Sequence, residues 1–179
     1  MPAHMKDTIA SAFLSMAKHR NVDKITVKDL VEECGISRQT FYYHFQDITD
    51  VIAWSIQNTL HQSLQLSLAA GDGEEALQYF ADSAWENRQI MDRLLHSRRR
   101  EQVEKMMLDA IRTYLSEMLR HRKPDLQVDE EDLNVALCFA TYGIAGILLD
   151  YSMDGADGEK TIHRLHQLLE GKLFPPVQL

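Results

Sequence analysis

Apolar residues recur along this chain at spacings of three and four, the period of an amphipathic helix, and no segment alternates as a strand does. Ala10, Phe13, Leu14 and Ala17 form the first such stripe. Glycine, proline and acidic helix starts divide the stripes into about nine predicted helices, so we expect an all-α fold. The first predicted helix ends near residue 20. The others span 27–34, 38–45, 47–68, 74–87, 88–97, 100–121, 129–154 and 159–170.

Residues 26–45 predict two short helices joined by a tight turn. Thr26 stands three residues before Asp29, which is the spacing of a capping box. Gly35 suits the left-handed residue that ends a helix, and Ser37 is a strong N-cap for the next one. This is the geometry of a helix-turn-helix, whose second helix enters the major groove of DNA. Such helix pairs are also common without DNA binding, so geometry alone leaves both interpretations open.

The residues of this segment favour DNA binding over a helix pair without that function. The strings TVKDLVEECG from Thr26 and ISRQTFYYHF from Ile36 closely resemble the reading head of TetR/AcrR-type transcriptional regulators. The resemblance implies a three-helix head over residues 1–46 and a helical dimerisation and effector-binding domain over 47–179. It implies a homodimer on double-stranded DNA at a pseudo-palindromic operator, an unknown small-molecule or protein effector, and no cofactor.

The run FYYHFQDI, followed soon by Trp54, also resembles the subgroup of this family that is linked to dihydroxyacetone-kinase regulation. In that subgroup a partner protein can act as the inducer, so a small molecule is not the sole type of effector implied.

The predicted DNA contacts follow from the same resemblance. Arg38, Gln39 and Thr40 are expected to meet base edges, because Arg can pair with guanine and Gln with adenine in bidentate fashion. The resemblance implies that Thr26, Tyr42, Tyr43 and His44 contact phosphates or sugars. Lys28 and Ser37 are further DNA-binding candidates. One position departs from the family pattern, since Ile48 stands where a lysine is usual. We therefore expect modest affinity, or another cation such as Lys28 or Lys6 in its place.

Net charge argues weakly against nucleic acid as a partner. The chain carries a formal charge of -8, and its first 50 residues hold six Lys/Arg against seven Asp/Glu. DNA binding would thus depend on placed contacts more than on an overall basic field. A helical protein-interaction adaptor that has lost DNA binding remains the alternative. An enzyme is a weaker one, because no nucleophile elbow, phosphate loop or metal-ligand set is recognised.

The run Leu133–Leu149 contains 17 residues without a charge. Asn134 and Thr141 interrupt it and its flanks are acidic, so a membrane span is not expected. A helix apolar on all sides must be buried on all sides, which predicts a second subunit against it. The interface candidates, as the resemblance also implies, are Phe139, Tyr142, Gly143, Gly146, Ile147, Ile162, Leu165 and Leu169.

A sensing cavity is predicted from aromatic, methionine and histidine residues on the middle helices, although such residues are more often ordinary core. The candidates are Trp54, His61, Phe80, Trp85, Met91, Met106, Met107 and Tyr114.

The remaining motifs have plain explanations. His163 and His166 are the best histidine pair, and we interpret them as surface residues, with no metal site predicted. The run Arg98–Arg100 is either a solvated helix end or a second anionic site. Two distant cysteines and no recognised secretion signal favour a reduced, cytoplasmic location.

Overall fold

Helices follow one another along nearly the whole chain. The computed structural model describes residues 2–154 and 158–169, with side chains described for 5–149, 160 and 163–168. No strand occurs in these two ranges, which confirms the predicted all-α class. The α-helices are α1 (Pro2–Ala17), α2 (Val27–Cys34), α3 (Arg38–His44), α4 (Ile48–Ala69), α5 (Gly73–Leu95), α6 (Arg100–Arg122), α7 (Glu130–Asp154) and α8 (Gly158–Leu169), and a 3-10 helix covers Val22–Lys24.

One predicted boundary is wrong. The helices expected over 74–87 and 88–97 form the single helix α5, Gly73–Leu95. The two residues at the expected junction, Asn87 and Arg88, are neither glycine nor proline, so neither breaks a helix. Ile90 and Leu94, beyond the junction, are buried. A continuous helix keeps these residues in a core, so nothing in the packing requires a break.

The chain divides into two compact units. The first contains Met1–Asn58 and Asn87–Met107, and the second contains Thr59–Glu86 and Leu108–Leu179. Helix α4 therefore supplies residues to both units. The domain boundary expected between residues 46 and 47 stays a prediction.

The core of the first unit joins α1, α2 and α3 with parts of α4, α5 and α6. Its fully buried side chains are large and apolar, as burial of apolar area requires. They include Ile9, Phe13, Leu30, Phe41, Val51, Ile52 and Val103.

The core of the second unit contains apolar residues and a chain of buried hydroxyls. Ser63 and Ser67 of α4 donate hydrogen bonds to the carbonyls of Tyr79 and Ala76 in α5, at 3.3 and 2.8 Å. Serine side chains are small, so helices can approach closely where they meet. Arg122 donates to the carbonyls of Ser67 and Ala70, at 3.1 Å each, and so caps the C-terminal end of α4, which attracts cations.

Candidate nucleic-acid interface

Helix α3 has one apolar side and one polar, aromatic side. Phe41 and Phe45 are buried, with ring centroids 6.0 Å apart. Tyr42 and Tyr43 are 56% and 82% exposed. Residues four apart share one face of a helix, so burial of the two phenylalanines turns the intervening residues outward. Arg38 and Gln39 are exposed as well.

Two hydroxyls hold the start of α3. The amide of Thr40 donates to Ser37 Oγ at 3.0 Å, and the Oγ atoms of Ser37 and Thr40 lie 2.9 Å apart. Ser37 is therefore the N-cap that the sequence predicts. Because the two hydroxyls share one hydrogen bond, one of their two hydrogens stays free for a phosphate or a base.

The turn before α3 depends on Gly35. This residue ends α2 with φ 63° and ψ 32°, the left-handed conformation that a side chain disfavours. The amide of Ile36 donates to the Val31 carbonyl at 3.0 Å, which closes the helix end. The predicted turn of three residues between α2 and α3 is confirmed.

A complete capping box starts α2. The amide of Asp29 donates to Thr26 Oγ1 at 3.2 Å, while the Thr26 amide and hydroxyl donate to Asp29 Oδ2 at 2.8 and 2.5 Å. Arg20 adds a 3.1 Å ion pair to Oδ1 of the same carboxylate. The hydrogen bonds from Thr26, and then that from Arg20, lower the pKa of Asp29 from 3.8 to about 2. The Thr26 hydroxyl is thus occupied, and it must rotate if it is to donate to a phosphate.

Replacing Thr26 with alanine should lower the free energy of unfolding by about 1 kcal/mol, the usual cost of losing an N-cap. The pKa of Asp29 should rise toward 3.8, because its largest stabilising hydrogen bond is lost. In the wild type the lowered pKa stabilises the folded chain above the ordinary pKa, and this contribution is lost as the pH falls toward 2. Urea melts and an NMR titration of the Asp29 carboxyl measure both effects. An unchanged pKa would contradict the role of Thr26, and Thr26→Ser is the control that keeps the cap.

The remaining predicted contacts differ in their surroundings. Lys28 is exposed and pairs with Glu32 at 3.7 Å, a contact that a phosphate can replace because exposed ion pairs are weak. His44 is half-buried and its ring meets Tyr43 edge-on, with centroids 5.0 Å apart. Together with Thr26, Ser37 and the outward residues of α3, both belong to the first unit.

The junction between α3 and α4 is acidic. The amide of Gln46 donates to Asp50 Oδ2 at 2.9 Å, and the amide of Asp50 donates to Asp47 Oδ1 at 3.0 Å. Both carboxylates therefore cap the start of α4, where the helix dipole favours negative charge. Ile48 is buried, so this position contributes to the core and not to a polar surface.

Sequence reasoning missed one contact of the head. The carboxylate of Asp23 accepts hydrogen bonds from the Arg98 amide, at 3.2 Å, and from Arg99 Nη1, at 3.4 Å. Arg93 Nη1 also donates to the Arg20 carbonyl at 3.4 Å. The basic run is thus not wholly solvated, because Arg99 pairs with Asp23 and Arg100 with Glu104. No local pattern could reveal a contact between residues 75 positions apart.

Helix α7 exposes an apolar stripe. Val135, Phe139 and Tyr142 are all exposed at offsets of four and three, and Phe139 is 77% exposed. Gly143 and Gly146 are also exposed, and a Cβ on either glycine would meet no atom of the described part of the chain within 4 Å. Large apolar residues on one face next to open glycines are typical of a surface that another body covers.

Not every interface candidate lies on this surface. Leu165 is buried within its own unit, and Ile147 is half-buried. The side chains of Ile162 and Leu169 lie outside the described residues. Val135, which the sequence analysis did not single out, belongs to the exposed stripe.

Two family profiles match the chain. The profile of bacterial regulatory proteins of the tetR family matches residues 9–53, and that of a transcriptional regulator C-terminal region of the TetR type matches residues 73–171. The second match alone covers more than half of the chain. The chain belongs to the TetR family. It is therefore a DNA-binding transcriptional regulator, and its family is not one of enzymes.

Solved structures share the fold of this TetR-family chain. The dihydroxyacetone kinase operon activator DhaS has a TM-score of 0.70 at 18% identity, with 94% of this chain and 95% of that chain covered. The fatty acid degradation regulator FadR from Bacillus halodurans has a TM-score of 0.57 at 18% identity, with 94% and 95% covered. A TetR-family regulator from Syntrophomonas wolfei has a TM-score of 0.60 at 11% identity over the whole of both chains. These identities support the fold alone. No curated protein sequence matches the chain significantly.

One segment of this TetR-family regulator, Glu130–Leu149 in α7, is long and apolar enough to cross a membrane by length and composition. A single such helix is weak support for a span. Little of it is buried within the described residues, which agrees with the exposed stripe on the same helix.

The candidates for a sensing cavity are spread over both units of the regulator. Trp54, Met91, Met106 and Met107 belong to the first unit, whereas His61, Phe80, Trp85 and Tyr114 belong to the second. The rings of Phe80 and Tyr114 meet, with centroids 4.7 Å apart, and both are buried. His61 is exposed and Trp85 is 40% exposed. An effector cavity lined by these eight residues stays a prediction.

Tyr114 has a structural role in the core of the second unit. Its hydroxyl donates to Ser67 Oγ at 2.7 Å and lies 3.3 Å from the Ala76 carbonyl. Burial raises the pKa of Tyr114 above its ordinary 10.0. The neutral phenol therefore stabilises the fold below pH 10, and this contribution is lost as the pH rises through the folded pKa.

Replacing Tyr114 with phenylalanine should lower the free energy of unfolding by about 1 kcal/mol, the typical net value of one hydrogen bond. The wild type should lose stability above pH 10 as Tyr114 ionises, and the phenylalanine variant should lose less because it has no phenol to ionise. Chemical denaturation at neutral and alkaline pH measures both effects. The exposed Tyr43, replaced by phenylalanine, is the matched control, and a larger loss of stability there than at Tyr114 would contradict this assignment.

His163 is exposed and His166 is half-buried, and both rings face one carboxylate of α5. His163 Nδ1 lies 2.8 Å from Glu74 Oε1, and His166 Nδ1 lies 3.8 Å from Oε2 of the same carboxylate. Gln167 Nε2 lies 3.0 Å from His163 Nε2. These contacts hold α8 against the start of α5. Among the described residues, no group of three or more His, Cys, Asp or Glu side chains is arranged to hold a metal ion.

Proposed function

We propose that this TetR-family chain is a sequence-specific transcriptional regulator that binds a pseudo-palindromic operator as a homodimer. The observation that carries the proposal is the outward face of α3, with Arg38, Gln39, Tyr42 and Tyr43 exposed opposite two buried phenylalanines. A guanidinium and a side-chain amide on one short helix can each pair with a base edge in the major groove. Two such helices must lie about 34 to 36 Å apart to read successive grooves.

Phosphate contacts in this proposal surround the reading face. Thr26 and Lys28 lie at the start of α2, where the first amides of a helix attract anions. Ser37, Tyr42, Tyr43 and His44 would contribute hydroxyl, phenol and imidazole donors at the start and along the length of α3. These contacts position the protein and carry little sequence information, so replacing one should weaken binding to all duplexes alike.

The homodimer is proposed on the exposed stripe of α7. A soluble protein rarely leaves Val135, Phe139 and Tyr142 together in water. Glycine within a helix costs up to about 1 kcal/mol relative to alanine. Among the described residues, neither Gly143 nor Gly146 has a neighbour that would require the absence of a side chain. A second copy of α7 that packs closely at these glycines accounts for both features.

Modulation of DNA affinity by a small-molecule or protein effector completes the proposal. Helix α4 supplies residues to both units, so a shift of this single helix changes both. A typical coupling free energy between two sites is about 1 to 3 kcal/mol. The sequence FYYHFQDI, with Trp54, supports membership of the dihydroxyacetone-kinase-regulator-like subgroup as a further part of the proposal.

An unbiased selection of bound fragments from the source genome tests this function. The full chain is incubated with fragments at low and at physiological salt, and the retained fragments are sequenced. A single palindromic motif that survives the higher salt is the expected result. Recovery of no fragment, even at low salt, would overturn the proposal and favour the adaptor alternative, which the formal charge of -8 permits.

A further inference from the structure

Lys6 lies beside the end of α3. It belongs to α1, and its Nζ atom lies 5.4 Å from the centroid of the Phe45 ring. A cation over an aromatic face is attracted by the electrons of the ring, so Phe45 holds the ammonium group in place. Phe45 directly follows Tyr43 and His44, two of the proposed phosphate contacts. The ammonium group therefore lies beside the C-terminal end of α3.

The ammonium group of Lys6 retains donors for a ligand. It carries three N–H groups, and a ring face occupies at most part of them. Among the described residues no carboxylate forms an ion pair with Lys6, whereas Arg20 pairs with Asp29 and Lys28 pairs with Glu32. Lys6 is also half-buried, so its position is restricted more than that of an exposed lysine.

The neighbouring junction lacks a cation of its own. Residues 45–50 contain two carboxylates, Asp47 and Asp50, and no lysine or arginine. A DNA backbone that approaches the end of α3 would meet these two carboxylates, whose charge the start of α4 offsets only in part. A nearby fixed cation is what such an approach requires.

We infer that Lys6 contacts a DNA phosphate at the end of α3, held within reach by the Phe45 ring. The inference rests on the proposed DNA binding and adds a positioning contact to that surface. Lys6 rather than Lys28 would replace the missing cation at Ile48, because Lys6 lies beside the end of α3 whereas Lys28 lies at the start of α2. Such a contact acts on phosphate alone, so it contributes equally to every duplex sequence.

Salt dependence of binding tests the contact directly. The full chain and its Lys6→Gln variant are titrated by fluorescence anisotropy into two labelled duplexes at several salt concentrations. One duplex carries the selected motif and the other is its scrambled sequence. Log K falls as log salt rises, and loss of one phosphate contact should make this negative slope shallower by about 0.9 per protomer. The affinity should fall roughly tenfold per protomer at about 0.1 M salt. Both duplexes should show the same loss.

Two further variants separate this contact from a structural effect. Lys6→Arg should restore the wild-type slope, because arginine keeps both the charge and the attraction to the ring. Lys18→Gln removes the same charge directly after the end of α1, about 18 Å from Lys6 by helical rise, and should leave the slope unchanged. An unaltered slope for Lys6→Gln, with a wild type that binds, would overturn this inference alone. A wild type that binds neither duplex would overturn the proposed function together with it.

Discussion

Replacing Gln39 with alanine should weaken binding to the selected duplex by about 2 to 6 kcal/mol, because a bidentate amide contact with adenine contributes about 1 to 3 kcal/mol in each half-site. This loss corresponds to a rise in Kd of about 30-fold to about 20,000-fold. Binding to a scrambled duplex should change little, since Gln39 is exposed and forms no part of the core of the head. Anisotropy titrations at one salt concentration measure both constants.

The matched control for this prediction is Gln57→Ala. Gln57 is likewise exposed and lies on α4, outside the outward face of α3. Its replacement should leave both binding constants unchanged. Combining Gln39→Ala with Tyr42→Ala should abolish preference for the selected duplex without unfolding the chain. If the double variant keeps its sequence selectivity, the outward face of α3 is not the reading surface.

Replacing Phe139 with glutamate should raise the dimer dissociation constant at least about 100-fold. In a single chain Phe139 is 77% exposed, so a carboxylate at this position remains in water and the fold should keep its stability. In the proposed homodimer the same carboxylate would be buried without a partner, which costs several kcal/mol. Sedimentation equilibrium measures the dissociation constant. Affinity for a palindromic duplex should fall as well, because only a dimer can bind both half-sites of one duplex at once.

Leu66→Glu is the control for Phe139→Glu. Leu66 is 53% exposed in the same unit but lies on α4, off the apolar stripe of α7. This variant adds the same charge at a comparably exposed apolar position and should leave the dimer intact. Equal weakening by both variants would point to a general effect of charge and against a contact at α7.

The two glycines of α7 provide a test with opposite signs. Alanine at Gly143 or Gly146 should stabilise the isolated chain by up to about 1 kcal/mol, since glycine disfavours the helix and the added Cβ meets no atom of the residues that the structure describes. The same methyl group should weaken the dimer if two copies of α7 approach closely there. A dimer constant that does not change with alanine would place these glycines outside the contact.

Local signals in the sequence were sufficient for the elements of the head. Thr26 with Asp29, Gly35 and Ser37 act within a few residues along the chain, and each is found in the predicted role. Capping and left-handed turns depend on near neighbours only, so one sequence carries enough information for them. The single helix α5 was missed for the complementary reason. No local residue terminates it, and its continuity follows from the burial of Ile90 and Leu94 in the core.

Candidates chosen by residue type alone fared differently. Methionine, histidine and aromatic residues at helical spacing suit a cavity and a core equally well. In the structure Phe80 and Tyr114 pack against each other, Tyr114 bonds to Ser67, and His61 is exposed. No local sequence pattern predicts the hydrogen bond between Tyr114 and Ser67, because the two residues are 47 positions apart.

By itself, then, the sequence determined the all-α class, the helix-turn-helix from Thr26 to Phe45 and the resemblance of that segment to the TetR family, since these depend on periodicity, caps and a short motif. Only the tertiary structure decided that Leu165 belongs to a core while Phe139 faces outward, and that Asp23 binds Arg99. It also brought Lys6 over the ring of Phe45. Apolar residues on one helix look alike in sequence, and which of them are buried depends on partners far along the chain.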